Sequence, residues 1–273
     1  MKGLIVAAGY GTRFLPVTKT IPKEMLPLID KPSIAFIVEE FISSGITDIL
    51  IITSRRKKAL EDYFDREIEL ETVFKKEGSA DKQKKIAPLK ANIHFIRQQE
   101  MLGTGNALML AEAFMGNDPF ITAYPDDLHF GTPPLSAQLI EVYEQTGCSV
   151  MATIHNPPNL NRYGILDLGD DNFHVTDIVE KPPAGKEPSK EVSIGRYLYT
   201  AEIFSFLREG WDKHREGEYF HTYALKKLMA RGKVVYKETE GLRLDTGSPA
   251  GFLRAILRYA SENPELRGVL KEE

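Results

Sequence analysis

The chain is short of the features that mark most specialised classes of protein. Of its 273 residues one is cysteine, Cys148, so no internal disulfide can form, and its apolar setting between Gly147 and Val150 gives that thiol a packing role. No apolar run reaches the roughly 18 to 20 residues needed to cross a bilayer, and Lys2 followed by a short apolar run ending at Gly9 is not the pattern of a signal peptide. Positive charge is not in excess: 35 Lys and Arg stand against 39 Asp and Glu, a formal charge of -4. That balance, with no basic stripe interleaved with aromatics, argues against non-specific binding to nucleic acid. Repeats, low-complexity tracts and linkers rich in Gly, Pro and Ser are also missing. What remains is an ordinary globular composition on a chain long enough to bury most of its apolar surface. It is expected in the reducing cytoplasm, with no membrane and no nucleic acid as partner, and any phosphate-binding charge must be local.

Strand-like apolar runs at Gly3 to Ala8, Asp48 to Thr53, Ile93 to Arg97, Phe120 to Ala123 and Ser149 to Ile154 alternate with helical patterns. Ile34, Ile37, Val38, Phe41 and Ile42 share one helical face, and Leu108, Leu110, Ala111 and Phe114 another. Alternation of this kind predicts an α/β fold with a mostly parallel sheet flanked by helices. Shorter runs at Ile165 to Leu168 and Val175 to Glu180 predict a small antiparallel β insertion. Late helices around Tyr223 to Met229 and Pro249 to Ser261 flank a strand from Val234 to Glu238. The charged stretch from Asp65 to Lys90 reads as a solvated helix-and-loop excursion, with a mobile flap or a partner contact as the other reading.

The first apolar run leads into Gly9-Tyr10-Gly11-Thr12-Arg13, then Lys19 and Pro22-Lys23-Glu24-Met25-Leu26-Pro27. A strand ending in a glycine turn, with cations close behind, is a way to build a phosphate pocket: backbone N–H groups approach an anion where side chains are absent. A dinucleotide-binding loop does not fit, because Phe14 stands where a third small residue is needed and Pro16 where the helix should start. The acid expected to hold a ribose after the second strand is replaced by Thr53-Ser54-Arg55-Arg56. The P-loop spacing is absent too.

Tyr124-Pro125-Asp126-Asp127 follows the fourth apolar run, at the strand end where open parallel sheets bind ligands. A carboxylate there can hold Mg²⁺, which favours one or two protein carboxylates with phosphates and waters completing its shell. Asp245, in Leu244-Asp245-Thr246-Gly247-Ser248, is a second candidate ligand; helix capping or an Asx-turn is the alternative for each aspartate. Val179-Glu180-Lys181-Pro182 places a carboxylate able to accept from sugar hydroxyls beside a cation able to pair with phosphate. Gly103-Thr104-Gly105-Asn106-Ala107 offers small residues against which a flat base can lie. A surface ion pair and a helix N-cap are the other readings of these two clusters.

Taken in order, these motifs, together with Asp30-Lys31-Pro32, Arg97-Gln98, Tyr163-Gly164 and Gly195-Arg196-Tyr197, resemble the sugar-phosphate nucleotidyltransferases. The Lys19-Thr20-Ile21-Pro22-Lys23-Glu24-Met25-Leu26-Pro27 string is most similar to the bacterial UTP:glucose-1-phosphate uridylyltransferase branch, also called UDP-glucose pyrophosphorylases. The resemblance implies one Rossmann-like nucleotidyltransferase domain over 1–273: a nucleotide-binding part at about 1–130, a sugar-phosphate part at about 131–248 and a C-terminal helix at about 249–273. It implies that UTP and glucose 1-phosphate give UDP-glucose and pyrophosphate, with Mg²⁺ as cofactor, in a homodimer or homotetramer. By the same resemblance Arg13, Lys23, Asp126, Lys181 and Asp245 are catalytic, with Asp126 and Asp245 as metal ligands. Ala7, Ala8, Gly9, Gly11, Thr12, Gln98, Gly103 and Thr104 would bind the nucleotide, Gln98 and Gly103 at the uracil edge. Asp127, Gly164, Glu180, Lys181 and Gly195 would bind the sugar phosphate.

The chain departs from that pattern at Gln99-Glu100-Met101-Leu102, where smaller residues and a lysine at Leu102 are usual. It departs again at Asn106, commonly histidine, and at Glu218-Tyr219-Phe220-His221-Thr222-Tyr223. These sites lie where base and sugar are expected, which leaves two alternatives: a dTTP- or CTP-dependent sugar-1-phosphate nucleotidyltransferase, and a non-catalytic nucleotide-sugar-binding regulatory paralogue. Retention of Arg13, Lys23, Asp126, Lys181 and Asp245 speaks against the second.

Overall fold

The computed structural model describes residues 1–269. Its strands in chain order are β1 (Lys2–Val6), β2 (Pro27–Leu28), β3 (Lys31–Pro32), β4 (Asp48–Thr53), β5 (Asn92–Arg97), β6 (Phe120–Ala123), β7 (Asp127–Phe130), β8 (Ser149–His155), β9 (Gly164–Leu168), β10 (Val175–Glu180), β11 (Glu191–Tyr199), β12 (Val234–Glu238) and β13 (Leu242–Asp245). Nine of them form one mixed sheet. β1 lies between β4 and β6, parallel to both, and β5 extends the parallel block beyond β4. Alternate residues of β1 and β4 enter different cores: Leu4, Leu50 and Ile52 face one side, Ile5, Ile49 and Ile51 the other. Burial on both faces is why these strands read as unbroken apolar runs rather than as alternation.

β11 reverses the chain direction, antiparallel to β6 through Arg196–Tyr199 and to β8 on its other edge. Its register shifts between Ser193 and Tyr197. β9 and β10 form the antiparallel addition expected from the sequence, joined to the sheet through Val192 opposite Ile165. A separate ribbon, β13 against β7, sets Asp245 opposite Asp127. The sequence reading contained neither this ribbon nor β11. The excursion after Asp65 is indeed helical, Ile68–Glu77 and Ala80–Lys85, with no buried residue in either helix. The last helix runs Pro249–Glu262, capped by the Ser248 hydroxyl accepting from the Gly251 N–H, and it ends sooner than the expected segment 249–273, of which 270–273 lie outside the described residues.

Candidate active site

The carboxyl ends of β1, β4 and β6 share one side of the sheet, and the loops that leave them build the site. After Val6 one more ladder bond is made, Ala7 N–H to the Ile52 carbonyl at 2.8 Å, before the chain leaves the sheet. Gly11 turns it at φ +68°, and a Cβ there would meet Thr18 and Lys23 at 3.2 and 3.3 Å, so glycine is favoured by conformation and by space. Phe14, too bulky for a dinucleotide fold, packs edge-on against Phe252 with centroids 5.7 Å apart and fastens the turn to the last helix.

A cavity of about 290 Å³ lies between Ala8–Thr12 on one side and Gln98, Gly103 and Thr104 on the other. Of the expected nucleotide-binding residues only Ala7 stays out of it; its methyl group is in the core of the opposite sheet face. Gln98 is only 5% exposed, and its Nε2 donates to the Gly103 carbonyl at 3.1 Å and to Asn106 Oδ1 at 2.9 Å. Because a carbonyl can only accept, Gly103 fixes which way the amide points. The two departing segments touch each other here. Tyr219 N–H donates to the Leu102 carbonyl at 2.7 Å, and the Tyr219 carbonyl accepts from the Gly105 N–H at 2.8 Å. Gly103, at φ +93°, leaves room for the Tyr219 backbone, which a Cβ would approach to 2.5 Å.

The charged groups converge at the loop after β13. A Cβ built on Gly247 would lie 3.1 Å from Asp245 Oδ1, 3.2 Å from Asp126 Oδ2 and 3.3 Å from Arg13 Nη1. Gly247 thus leaves open a space ringed by two carboxylates and a guanidinium. Arg13 Nη1 donates to the Gly247 carbonyl at 2.9 Å, and Thr246 N–H to the Asp126 carbonyl at 2.8 Å, which stitches the first loop and the β6 turn to residues 246 and 247. Asp245 Oδ1 accepts from the Gly247 N–H at 2.8 Å, the Asx-turn foreseen as the alternative for this aspartate. Lys23 Nζ sits 2.8 Å from Asp126 Oδ2. Burial pushes the Asp126 pKa up, but Lys23 and, behind it, Arg13 outweigh that and hold it below the usual carboxylate value.

The pair fits Mg²⁺ in kind. Both donors are hard carboxylate oxygens, Asp126 already carries a cation, and only two carboxylates converge; no group of three or more metal-ligating side chains occurs among the described residues. Two is the number suited to a metal held largely through substrate phosphates.

Among the expected sugar-site residues, Asp127 has a structural task that the sequence did not reveal. Arg243 Nε and Nη2 grip its two oxygens at 2.8 Å each, and Oδ2 also accepts from the Gly195 N–H at 2.9 Å. Arg243 lies 5.8 Å over the Tyr163 ring, beside Gly164. Gly164 pairs with Glu180 across β9 and β10, and a Cβ at Gly164 would come 2.9 Å from Glu180 Oε1. Lys181 follows at φ +46°, its N–H on the Tyr163 carbonyl at 2.9 Å and its side chain exposed. Asp127, Gly164, Glu180 and Gly195 therefore belong to one connected group, with Lys181 at its rim.

Sequence reasoning assigned no role to several polar groups packed around the site. Glu24, beside Lys23, accepts from Lys57 Nζ through both oxygens at 2.7 and 2.8 Å, and the same ammonium donates to the Ala7 carbonyl. Burial lowers the Lys57 pKa, while Glu24 draws it back up. Buried charge beside Lys23 was visible only as the Glu in the Lys23-Glu24-Met25 string. His221 Nδ1 lies 2.9 Å from Thr104 Oγ1 and 3.3 Å from the Tyr124 hydroxyl, and burial lowers its pKa to about 4. It is a neutral imidazole joining the cavity to the strand end that carries Asp126.

A glycine turn on a parallel strand, two convergent carboxylates and flanking cations define an enzyme that handles a nucleoside triphosphate. Residues 2–262 match the nucleotidyl transferase family, and the chain belongs to it. It is 41% identical over 276 residues to a UTP–glucose-1-phosphate uridylyltransferase of Staphylococcus epidermidis, covering 99% of this chain and 96% of the relative. It is also similar to a UTP-bound UGPase from Acinetobacter baumannii, at TM-score 0.89 and 31% identity over 99% of this chain and 97% of that one. A UDP-glucose pyrophosphorylase complexed with UDP-glucose matches at TM-score 0.82 and 35% identity, over 96% of this chain and 99% of its own.

Proposed function

We propose that the chain transfers the uridylyl group of UTP to glucose 1-phosphate, giving UDP-glucose and pyrophosphate. The observation that carries this reading is the meeting of Asp126, Asp245 and Arg13 around Gly247, next to a cavity whose buried polar group is the Gln98 amide. A phosphate oxygen of glucose 1-phosphate forms a bond to the α-phosphorus while the bond from that phosphorus to the β-phosphate bridging oxygen breaks, and pyrophosphate leaves. Such a displacement asks the protein for alignment and charge neutralisation rather than covalent chemistry. The nucleophile is already anionic, so no side chain has to act as a base. Arg13 and Lys23 neutralise the leaving pyrophosphate and the reacting centre, while Lys181 meets the sugar phosphate. Gly164, Glu180 and Gly195 hold the sugar. Asp126 and Asp245 would hold Mg²⁺, which when bound withdraws charge from the α-phosphate and draws the two substrates together.

The continuous nine-stranded sheet supports reading the chain as one domain, with the nucleotide part near 1–130 and the sugar-phosphate part near 131–248. No helix among the described residues is long and apolar enough to cross a membrane, and the one thiol, Cys148, is buried and free; both suit a cytoplasmic enzyme. Leu253 and Leu257, one turn apart on the last helix and exposed, suit a dimer or tetramer in which a second copy covers them.

Purified protein given each NTP with Mg²⁺ and glucose 1-phosphate tests the reading through pyrophosphate release. UTP is expected to be preferred; equal or faster release with dTTP would move the assignment to a thymidylyltransferase. Binding of UDP-glucose without turnover in either direction would make the chain a regulatory paralogue.

A further inference from the structure

Lys57 lies in the turn after β4, its N–H on the Ser54 carbonyl at 3.0 Å, and its side chain is 6% exposed. The ammonium has three acceptors, the Ala7 carbonyl and both oxygens of Glu24, whose side chain is fully buried. Ala7 is the first residue beyond β1. Glu24 occupies the single helical turn Lys23–Met25, and its own carbonyl accepts from Ser33 Oγ at 3.0 Å. That turn therefore has both side chain and main chain tied down, and the next residue back, Lys23, reaches Asp126 after β6. The contacts run without a gap across the carboxyl ends of three neighbouring parallel strands: Lys57 from β4, Ala7 from β1, then Glu24 and Lys23 to Asp126 from β6.

We propose, on the uridylyltransferase reading, that Glu24 and Lys57 are positioning residues, a strut that sets the separation between the nucleotide loop and the Lys23–Asp126 pair. A buried ion pair is a poor choice for stability alone, since well-packed apolar residues of similar volume commonly do as well or better. Placed here it does two things an apolar pair cannot. It holds Lys23 in register with Asp126, and it gives the Ala7 carbonyl a donor that fixes where the chain leaves β1. Misplacement of reacting groups by about 1 Å can lower a rate on the order of 100-fold.

The test is a double variant, Glu24→Leu with Lys57→Met, which removes both charges and leaves neither one buried alone. It is expected to stay folded, with at most a modest fall in unfolding temperature from the Ala7 carbonyl left without its donor, yet to lose kcat by about 100-fold while KM for UTP and glucose 1-phosphate stays within roughly threefold. A folded double variant with parent kcat would overturn the assignment. If it does not fold, Lys57→Arg and Glu24→Asp decide, because each keeps its charge and shifts only its reach. They are expected to lose about tenfold in kcat at unchanged KM, and parent kcat in both would equally overturn it. The parent protein in the same assay separates the two readings: if it uses another NTP or sugar phosphate, the variants are measured with that pair. A parent inactive with every pair would overturn the functional reading and the strut's catalytic role with it.

Discussion

Asn106 holds Gln98 by its donor end, accepting from Nε2 at 2.9 Å while the Gly103 carbonyl accepts from the same nitrogen at 3.1 Å. Both amide hydrogens are thereby spent inside the protein, and Gln98 has only its Oε1 to offer a base in the cavity. Uracil and thymine present an N3–H to such an acceptor; cytosine presents a lone pair there.

The protein is therefore expected to discriminate against CTP more strongly than against dTTP. Asn106→Leu frees one amide hydrogen and loosens the orientation of Gln98. It is expected to cut the UTP-to-CTP ratio of kcat/KM by roughly tenfold, the scale of one hydrogen bond. Steady-state kinetics with the two nucleotides checks it, and an unchanged ratio would remove Asn106 from base selection.

Asp126 is the carboxylate on which Lys23 rests. Asp126→Asn keeps the shape and loses the charge, so Mg²⁺-dependent pyrophosphate release is expected to fall on the order of 1000-fold with the circular dichroism spectrum unchanged. Turnover at the parent rate would exclude Asp126 as a ligand.

His221 makes stability depend on acidity. Its folded pKa, about 4, lies below the ordinary 6.5, so between those values the unfolded chain binds the proton and the folded one does not. Stability is then complete above about pH 6.5 and is lost as pH falls toward 4, by up to about 3 kcal/mol from this group. Urea titrations across that window should show a shallower slope for His221→Phe than for the parent; parallel slopes would refute the attribution.

Arg196 is 1% exposed, and its Nη1 donates to Glu40 and to the Ser136 hydroxyl. Burial brings its pKa down to about 9. Arg196→Met leaves Glu40 buried with its charge and is expected to lose about 3 to 5 kcal/mol in urea unfolding. Adding Glu40→Gln should restore part of that loss. Additive losses would show that the two side chains are not coupled.

The parallel block was legible because its strands are buried on both faces and leave unbroken apolar runs, as Asp48 to Thr53 does. Gly9 to Arg13 was legible as a turn leaving β1, because closely spaced glycines allow the positive φ seen at Gly11. β7 and β13 were not, since Asp127–Phe130 and Leu242–Asp245 are short, and only their pairing across the chain makes them strands. Asp127 was expected at the sugar phosphate, and a sequence cannot show that Arg243 will pair with both of its oxygens. Lys57 carried no signal at all among Arg55, Arg56 and Lys58, and only burial singles it out. The departures at Leu102 and Tyr219, far apart in the sequence, meet in the fold, because the two backbones hydrogen-bond to each other.

The space around Gly247 is also a statement about time. Arg13 precedes Asp126 in the chain and Asp126 precedes Asp245, so no fragment released from a stalled ribosome before residue 245 contains both carboxylates. A chain cut after Glu238 would keep every strand of the main sheet and the whole glycine turn, yet hold only half of the proposed metal site. Assembly of the reaction centre therefore waits for residue 245, which comes after every strand of the main sheet, so the sheet can be complete while the site is not.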